Sequence, residues 1–350
     1  MTLKKKIILF GPYPPPHGGV SIFNLLLNKT LIESGFNCVL RIYYGSNLKK
    51  GVRPNFISII KNFYFLKKND VCIDSCSFFL EYPSRGSFIA WRILLFFKKF
   101  KWIKVIHDST LAERYSNFSK DQADIFKKVI NLIDELIVVN EVLADWLINV
   151  LKYKRKIHII SSLIPLPKEY DSIEIDETIS VSLSKHKKII TSVGVFSPSY
   201  GFDHIVSAVE LIRNETGSDL GLVLIDGCFL VDNEFKNKEC FNRKWVTVLN
   251  NISHPQLYQI LKKSDVFVRG TKSESVGLSR IEAVWSGTPV VATNVGEIRG
   301  MLLYEFGNIE VLVKKIKEAF HCNSKNNFEY WSQKYHQEAQ DNVCKIKRII

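Results

Sequence analysis

Several common sequence features are absent from this 350-residue chain, and each absence narrows its class. No uninterrupted apolar run approaches the ~20 residues that a membrane-spanning helix needs. The lysines near the N-terminus precede an apolar run that is too short for a signal peptide and reads better as a first strand. The seven cysteines are odd in number and scattered, so they indicate neither a disulfide framework nor a zinc site. We therefore expect a soluble or peripheral protein of the reducing cytoplasm.

Signatures of nucleic-acid and dinucleotide binding are also missing. The chain has no helix-turn-helix, zinc-finger or RNA-binding motif and no G-x-G-x-x-G fingerprint. Its net charge is nevertheless +13, and residues 1–165 contain 25 Lys and Arg against 12 Asp and Glu, whereas the remaining residues contain 23 of each. This asymmetry indicates that the first half meets a polyanion. We expect that polyanion to be an anionic membrane face rather than nucleic acid.

Short apolar runs alternate with helical patterns along the whole chain. In the first half the runs are KIILFG, NCVLRIYY, DVCIDS, WIKVIHD, ELIVVN and KIHIIS. A segment with two prolines and many charges follows, and the alternation then restarts with KIITSVG, LGLVLID, WVTVL, SDVFVRG and TPVVAT. Such alternation predicts parallel, doubly wound sheets. We therefore predict an α/β chain with domains at 1–165 and 188–325, a connection at 166–187 and a C-terminal helix over about 326–350 that packs back on the first domain.

The stretch from residue 266 to 291 reads as a strand, a loop, a helix and a second strand. A helix that begins where a parallel strand ends offers unpaired N–H groups and a positive dipole end, which suit a phosphate. Glu274 lies in the loop, and Glu282 lies one turn inside the helix with its side chain leaning back toward the N-terminus. Two hydrogen-bond acceptors on either side of a phosphate site suit a sugar nucleotide. The alternative is an ordinary helix start with two surface glutamates.

A second loop, GPYPPPHGGVS, follows the first strand directly. Gly18 and Gly19 let the backbone approach a ligand closely, and the prolines stiffen the loop. The helix that follows again presents its N-terminus. The alternative is a rigid turn without a ligand.

These segments together resemble glycosyltransferase family 4, whose GT-B fold has two facing Rossmann-like domains with a cleft between them. The resemblance rests on the spacing of Glu274 and Glu282, and on VGLSRIEAVWSGTPVVATNVGEI, GPYPPPHGGVS, IHDS and SVGVFSPSYGFDHIVSAVELI. It covers most of the chain in the right order and is closest to bacterial enzymes that build surface polysaccharides, such as O-antigen or capsule. It implies a retaining, metal-independent transferase that uses a nucleotide-diphosphate sugar and no other cofactor.

The resemblance also implies a set of site residues. Glu274 would bind hydroxyls of the donor sugar, Glu282 the ribose of the nucleotide, and His107 would lie beside the reacting sugar. The remaining donor-binding positions that it implies would be Gly18, Gly19, Val276, Gly277 and Leu278. We add Ser275, Arg269 and Lys272 as donor-binding candidates because of their places in the two-glutamate loop and at the end of the strand before it. For His107 the alternative is a histidine that simply ends a strand.

The sequence departs from the family at two cations that normally contact the diphosphate. Where the family has an arginine and a lysine, this chain has Val195 and Tyr200. Arg269 ends a strand at the two-glutamate loop and Lys272 lies within that loop, so both are candidates to replace them, with Arg280 a weaker one. The alternative for Arg269 is a salt bridge to a nearby carboxylate.

The leading functional prediction is a glycosyltransferase that acts on a lipid-linked glycan at the inner face of the cell membrane. The basic first domain would hold it there through FISIIKNFYFLKK and SFIAWRILLFFKKFKW, which combine aromatic and basic side chains. One alternative is a sugar-nucleotide 2-epimerase of the same fold, which needs no lipid acceptor. The other is a non-catalytic GT-B partner subunit, which the loss of the two family cations would fit.

Overall fold

The computed structural model divides the chain into two compact units. It describes residues 6–15, 17–42, 70–76, 86, 89, 100–108, 110–227, 232–321 and 325–350. Unit 1 comprises Met1–Pro15, Val20–Ile164 and Asp341–Ile350, and unit 2 comprises Pro16–Gly19 and Pro165–Gln340. The two aromatic and basic segments that we predict to contact a membrane lie almost entirely outside the described residues.

Unit 1 is built on a six-stranded parallel sheet of order β2-β1-β3-β4-β5-β6. Its strands are β1 Lys6–Gly11, β2 Asn37–Ile42, β3 Val71–Asp74, β4 Lys101–Ile106, β5 Glu135–Val138 and β6 Lys156–Ile159. The chain runs to one side of β1 first and then to the other, so the strand order switches between β1 and β3. The central strands are buried, as near-continuous apolar runs in a covered parallel sheet should be.

The described helices of unit 1 are α1 Gly19–Glu33, α2 Leu111–Ser116, α3 Lys120–Ile130 and α4 Glu141–Asn149. Helix α3 begins with a capping box between Ser119 and Gln122, and the Asn140 side chain caps α4. Both caps satisfy N–H groups that a helix start leaves unpaired. The apolar faces of α2, α3 and α4 pack on the sheet around Trp102 and Phe126.

Unit 2 also has a six-stranded parallel sheet, of order β12-β11-β10-β7-β8-β9. Its strands are β7 Lys188–Gly194, β8 Leu220–Asp226, β9 Val246–Asn250, β10 Val266–Arg269, β11 Val290–Thr293 and β12 Leu302–Tyr304. The strand order switches between β7 and β10, and ligands of open α/β sheets bind at the carboxyl ends of strands at such a point. The three-residue strand β12 is not predicted from the sequence, because so short a run carries no periodicity.

Seven α-helices are described in unit 2, the last of them shared with unit 1. They are α5 Glu177–Leu183, α6 Phe202–Thr216, α7 Asn233–Lys236, α8 His254–Lys263, α9 Leu278–Trp285, α10 Ile309–His321 and α11 Lys325–Ile349. Short 3₁₀ turns occupy Lys168–Ser172, Pro198–Tyr200 and Glu239–Asn242. Two doubly wound sheets with helices confirm the predicted fold class. Among the described helices, none combines the length and the apolar character that a membrane crossing requires.

The segment at 166–187, which its prolines and charges predict to be a connection, packs into unit 2. Ile179 and Leu183 on α5 are buried in a cluster with Ile189 and Ile260, and Tyr170 in the first 3₁₀ turn is 5% exposed. Two apolar residues four positions apart are enough to dock one turn of helix, and charged neighbours conceal that signal in the sequence.

Helix α11 contributes to both units. Its residues up to Gln340 group with unit 2, where the Tyr335 hydroxyl donates to the Arg299 carbonyl oxygen at 2.8 Å. Its last ten residues group with unit 1, where the Asn342 amide donates to Ser161 Oγ at 2.9 Å and to the Leu163 carbonyl oxygen at 3.0 Å.

Candidate functional site

The candidate site of unit 2 lies at the switch point of its sheet, where β10 ends and α9 begins. Gly277 precedes α9 with φ at +80°, a conformation that a residue with a side chain rarely adopts. A Cβ at this position would lie 2.7 Å from Arg280 Nε and 3.0 Å from Glu274 Cγ. The glycine therefore lets the loop fold tightly over its own charged side chains, with the N-terminus of α9 at the carboxyl end of the sheet.

Glu274 and Arg269 form a close ion pair in this loop. Arg269 donates to Glu274 Oε2 from Nη2 at 2.6 Å and from Nε at 2.9 Å, and its Nη1 donates to the Val193 carbonyl oxygen. Burial would raise the pKa of Glu274, but the charge and hydrogen bonds of Arg269, together with the Arg280 charge and the Thr271 hydroxyl, outweigh burial and hold that pKa below its usual range. The carboxylate is therefore charged and fixed in direction. This pair is the salt bridge that the sequence leaves open as the alternative for Arg269.

Arg280 is fully buried and supports the same loop through hydrogen bonds to backbone carbonyl oxygens. Its Nη1 donates to the carbonyl oxygens of Val295 at 2.5 Å and Glu297 at 3.2 Å. Burial, reinforced by the charge of Arg269, lowers the pKa of Arg280 to about 10. Because its guanidinium is enclosed, Arg280 holds the loop in shape and has no exposed donor for a ligand. Lys272, by contrast, has an exposed side chain, and its backbone N–H donates to the Ser199 carbonyl oxygen at 2.8 Å.

Tyr200 fills the place where the resemblance would put a lysine. The Arg269 guanidinium lies 5.1 Å from the centroid of the Tyr200 ring, within reach of a cation–π contact. A Cβ on Gly194, the last residue of β7, would lie 2.4 Å from Tyr200 Cδ1, so the ring lies directly over the end of that strand. The positive charge at this end of the sheet therefore belongs to Arg269, the last residue of β10. The Tyr200 ring, from the turn at Pro198–Tyr200, packs against its guanidinium.

Glu282 lies in the first turns of α9 and is joined to a buried histidine that the sequence did not single out. His254 Nε2 is 2.8 Å from Glu282 Oε1, and His254 Nδ1 is 3.2 Å from the Tyr170 hydroxyl. Glu282 and His254 are 5% and 4% exposed, so the pair is shielded from solvent. The available sequence signal was weak: a histidine and a proline open a helix directly after a strand, in SHPQLY.

The proline-glycine loop after β1 groups with unit 2, although β1 belongs to unit 1. A Cβ on Gly18 would meet nothing within 4 Å, and one on Gly19 would meet only Leu278 Cδ1, at 3.9 Å. The side of the loop toward which a Cβ would point is therefore open at Gly18, and at Gly19 it faces only the first residue of α9. His17, just before them, has its pKa lowered chiefly by burial, and its Nδ1 is buried without a hydrogen-bond partner among the described residues.

In unit 1, His107 follows β4 and is held by neighbours on two sides. Its Nδ1 lies 2.8 Å from Ser162 Oγ, and its ring meets the Phe23 ring edge-on at a centroid distance of 4.7 Å. Burial, and then the charge of Lys104, lowers the pKa of His107 to about 3. The imidazole is therefore neutral at physiological pH.

Three polar atoms at the carboxyl edge of the unit 1 sheet are buried with no hydrogen-bond partner among the described residues: His107 Nε2, Asn24 Oδ1 and Ser75 Oγ. Asn24 and Ser75 flank Gly11, where a Cβ would lie 2.6 Å from Asn24 Nδ2 and 3.2 Å from Ser75 Cβ. Buried polar atoms are usually hydrogen-bonded, so orphaned ones call for a water, an ion or a ligand. Sequence reasoning missed Asn24 and Ser75, because neither belongs to a recognisable motif.

A buried ion pair underlies this edge. Lys104 Nζ on β4 lies 3.0 Å from Asp74 Oδ1 on β3, and the Trp102 indole donates to Asp74 Oδ2 at 3.2 Å. Such pairs fix relative positions more than they add stability. Within the part of the chain that the structure describes, no three His, Cys, Asp or Glu side chains are grouped as metal ligands.

Comparison with protein families identifies most of unit 2. Residues 174–335 match the family described as Glycosyl transferases group 1, so this part of the chain is a glycosyltransferase group 1 domain. It contains Glu274, Glu282, Arg269 and α9. A sequence search of curated proteins finds no match.

Solved structures match the whole chain in fold at low sequence identity. Sucrose-phosphate synthase from Thermosynechococcus elongatus is 16% identical, with a TM-score of 0.71 over 99% of this chain and 98% of that one. A glycosyltransferase from Rickettsia africae is 17% identical, with a TM-score of 0.64 over 99% and 98%. Anabaena HepE in complex with UDP-glucose is 14% identical, with a TM-score of 0.66 over 98% and 99%. These matches confirm the GT-B fold.

Proposed function

We propose that this chain is a retaining glycosyltransferase of family 4 that moves a sugar from a nucleotide-diphosphate sugar to a glycan acceptor. The observation that carries the proposal is the charged loop of the group 1 domain, in which Arg269, Glu274 and the N-terminus of α9 converge at the switch point of the sheet. Similar folds have been solved with UDP-glucose and with UDP-2-fluoro glucose. Family 4 and retention of stereochemistry rest on the sequence resemblance.

In this proposal the donor is held by the loop and helix of unit 2. The diphosphate binds at the N–H groups of Ser275, Val276, Gly277 and Leu278, where the helix dipole favours negative charge. Arg269 and Thr271 donate to Glu274 Oε2, so Oε1 is the oxygen that faces hydroxyls of the donor sugar. Glu282 accepts from the ribose, and Gly18 and Gly19 leave room for the donor beside Leu278.

Transfer then depends on stabilising the leaving nucleoside diphosphate. Negative charge grows on the bridging oxygen as the bond to the sugar breaks, and preorganised donors are most effective where charge develops. The N-terminus of α9 supplies such donors, and Arg269 supplies a fixed positive charge whose direction its bonds to Glu274 and to the Val193 carbonyl oxygen determine. Lys272, exposed in the same loop, adds a mobile cation.

We assign the acceptor to unit 1. The depressed pKa of His107 keeps its imidazole neutral, and with Nδ1 engaged by Ser162 its Nε2 is placed to accept a hydrogen bond from a sugar hydroxyl. Asn24 and Ser75 offer two further polar atoms at the same edge. The excess of Lys and Arg in residues 1–165 supports a lipid-linked acceptor in surface polysaccharide synthesis, reached from the cytoplasmic membrane face.

The test combines nucleotide binding with turnover. A panel of UDP- and GDP-sugars is screened for thermal stabilisation, since a ligand at 100 times its dissociation constant adds ~2.7 kcal/mol to the free energy of unfolding. The donors that bind are then incubated with polyprenyl-diphosphate-linked saccharides, and release of nucleoside diphosphate is measured with and without acceptor.

Each outcome points to one function. The proposal is supported if release of nucleoside diphosphate requires the acceptor and the transferred sugar keeps the anomeric configuration that it has in the donor. Conversion of the donor to an epimer without acceptor would identify an isomerase instead. Binding without any turnover would favour the non-catalytic partner subunit, which the replacement of two family cations by Val195 and Tyr200 makes the second candidate.

A further inference from the structure

Glu282 binds the ribose in the proposed function, but the buried His254 and Tyr170, which are linked to it by hydrogen bonds, have no role there. We propose that His254 is a positioning residue that fixes Glu282 for ribose binding, and that Tyr170 sets the tautomer in which His254 does so. This inference rests on the proposed function, because it assigns Glu282 to the ribose. It adds two residues, from α8 and from the 3₁₀ turn at Lys168–Ser172, that touch no substrate themselves.

The geometry gives the direction of each hydrogen bond. A neutral imidazole has one donor and one acceptor nitrogen, and the partner of one nitrogen decides the role of the other. The carboxylate of Glu282 can only accept, so His254 Nε2 carries the proton and donates to Oε1 across 2.8 Å. Nδ1 is then the acceptor, and the Tyr170 hydroxyl donates to it across 3.2 Å. The order of donation is Tyr170 to His254 to Glu282.

Tyr170 is itself fixed in place by α8. The Gln259 side-chain amide donates to the Tyr170 carbonyl oxygen at 2.5 Å, and Lys262 pairs with the neighbouring Asp171 at 3.1 Å. The Tyr170 ring also meets the His254 ring edge-on, at a centroid distance of 5.5 Å. The imidazole is therefore held by the ring and hydroxyl of Tyr170 at Nδ1 and by Glu282 at Nε2.

This confinement decides what Glu282 can do. A glutamate has three side-chain torsions, and a bond to a fixed donor removes the freedom that ligand binding would otherwise have to remove. With Oε1 occupied, Oε2 accepts from a ribose hydroxyl in a direction that is set before the nucleotide arrives. Second partners that orient a binding group commonly control its affinity in this way. His254 therefore contributes to recognition of ribose hydroxyls and to no other part of the nucleotide.

The experiment measures how strongly the protein prefers ribose. Dissociation constants are determined for UDP and GDP and for their 2′,3′-dideoxy counterparts, with the wild-type chain and with single variants. His254→Phe keeps a planar ring and removes both nitrogens, whereas His254→Gln retains an N–H near the position of Nε2. Tyr170→Phe removes only the hydroxyl that faces Nδ1. Tyr258→Phe is the matched control, because Tyr258 packs beside Tyr170 at a ring-centroid distance of 6.4 Å.

We expect His254→Phe to weaken binding of the ribonucleotide roughly tenfold or more, as for loss of a hydrogen bond that involves a charged group. Binding of the dideoxynucleotide should be unchanged within twofold. His254→Gln should restore part of the preference, Tyr170→Phe should reduce it less than His254→Phe does, and Tyr258→Phe should leave it at the wild-type value.

Equal weakening of the ribose and dideoxyribose ligands by His254→Phe would overturn the inference, because a purely structural histidine affects both alike. If His254→Phe weakens the binding of neither ligand, the inference is overturned as well. If the wild-type chain binds neither nucleoside diphosphate, the proposed function fails and this inference fails with it. That outcome is separate from the first two, in which the wild-type protein binds.

Discussion

Glu274 and Arg269 act as one group, because two N–H donors of the guanidinium converge on one carboxylate oxygen. From the sequence alone, a loop glutamate is expected to contribute little to stability. The structure changes that expectation: Arg269 is 8% exposed, and removing its partner leaves a buried charge uncompensated. Breaking such a pair typically costs about 3–5 kcal/mol of stability.

Glu274→Gln is therefore the cleaner variant for testing the role of the carboxylate. The amide oxygen can still accept from Arg269, while the negative charge and the symmetry of the acceptor are lost. We expect turnover to fall roughly 10²–10³-fold, as when one partner that stabilises the transition state is removed. Thermal unfolding of the variant is measured in parallel, and Glu274→Ala should unfold at a clearly lower temperature than Glu274→Gln. Turnover within a few-fold of wild type would show that the Glu274 carboxylate has no role in transfer.

Arg269→Ala should weaken binding of a nucleoside diphosphate far more than binding of the nucleoside. The guanidinium is a charge at the carboxyl end of β10, and charge matters for the diphosphate alone. Lys272→Ala is the comparison, since its exposed side chain acts in high dielectric and should have a smaller effect. Calorimetric titration of both ligands into each variant checks this. Equal losses for nucleoside and nucleoside diphosphate would show that Arg269 only supports the loop.

His107 should make the protein less stable in mild acid. Its pKa is lowered to about 3 in the folded state, against about 6.5 for an unperturbed histidine. Between these two values the unfolded chain binds more protons than the folded chain, so the free energy of unfolding falls as pH decreases from 6.5 toward 3. Replacing His107 by Asn should remove this contribution. Urea unfolding at pH 7 and pH 5 should show a smaller loss of stability in the variant; an equal loss would contradict the assignment.

At this scale, the sequence identifies the residues that lie on recognisable motifs and misses those that meet them through the fold. The predicted Glu274, Arg269 and Glu282 lie at one end of the unit 2 sheet. His254 is 28 residues from Glu282, and Tyr170 is 84 residues from His254. A contact across such separations leaves no local pattern, so neither residue could be found without the structure. Asn24 and Ser75 were missed for the same reason.

Helix α9 shows how an element places a site. It is eight residues long, all its residues from Arg280 to Trp285 are buried, and its N-terminus follows a left-handed glycine. The apolar spacing in the sequence gives both ends of this helix, because glycines flank it. The same kind of reasoning misses β12 and α5, which are short and depend on neighbours that only the folded chain provides.

Gly277→Ala should both destabilise the protein and weaken nucleotide binding. Alanine at this position would have to adopt a φ of +80°, and its Cβ would lie 2.7 Å from Arg280 Nε. The substitution should therefore lower the free energy of unfolding by about 1–3 kcal/mol. Gly18→Ala is the matched control, because a Cβ there meets nothing within 4 Å. Scanning calorimetry should show a lower midpoint for Gly277→Ala and an unchanged midpoint for Gly18→Ala. Any effect of Gly18→Ala on nucleotide affinity then reports the space around the donor. Similar midpoints for both variants would contradict this account of the loop.

On the scale of the whole molecule, the two halves of the chain differ more in net charge than in architecture. Both units carry a six-stranded parallel sheet, yet the excess of positive charge lies entirely in residues 1–165. The alternation of apolar runs predicts two such sheets, and the group 1 match covers most of the second unit. The boundaries are less predictable, since the segment at 166–187 and the end of α11 take their places through packing and hydrogen bonds.

We expect the full chain to bind anionic vesicles through its first half. Each basic residue near an anionic surface contributes ~1 kcal/mol, and salt screens this attraction. Flotation with phosphatidylglycerol vesicles should therefore recover the protein at low salt and lose most of it at 0.5 M salt. Phosphatidylcholine vesicles should recover little at either concentration. Recovery that depends on neither lipid charge nor salt would contradict an electrostatic membrane contact.

The close packing around Glu274 also restricts which substitutions this loop can accept. A Cβ on Gly296 would lie 3.0 Å from both Cβ and Cγ of Glu274, and one on Gly277 would lie 3.0 Å from Cγ of the same side chain. Both glycines have positive φ, at +71° and +80°. A shorter acid at position 274 would relieve the contacts at Gly296 and admit asparagine there, which tolerates this backbone conformation, whereas a Cβ on Gly277 would still lie 2.7 Å from Arg280 Nε. Positions 274 and 296 should therefore covary among homologous chains, with glycine retained at 296 wherever glutamate is retained at 274, and glycine retained at 277 wherever Arg280 is retained.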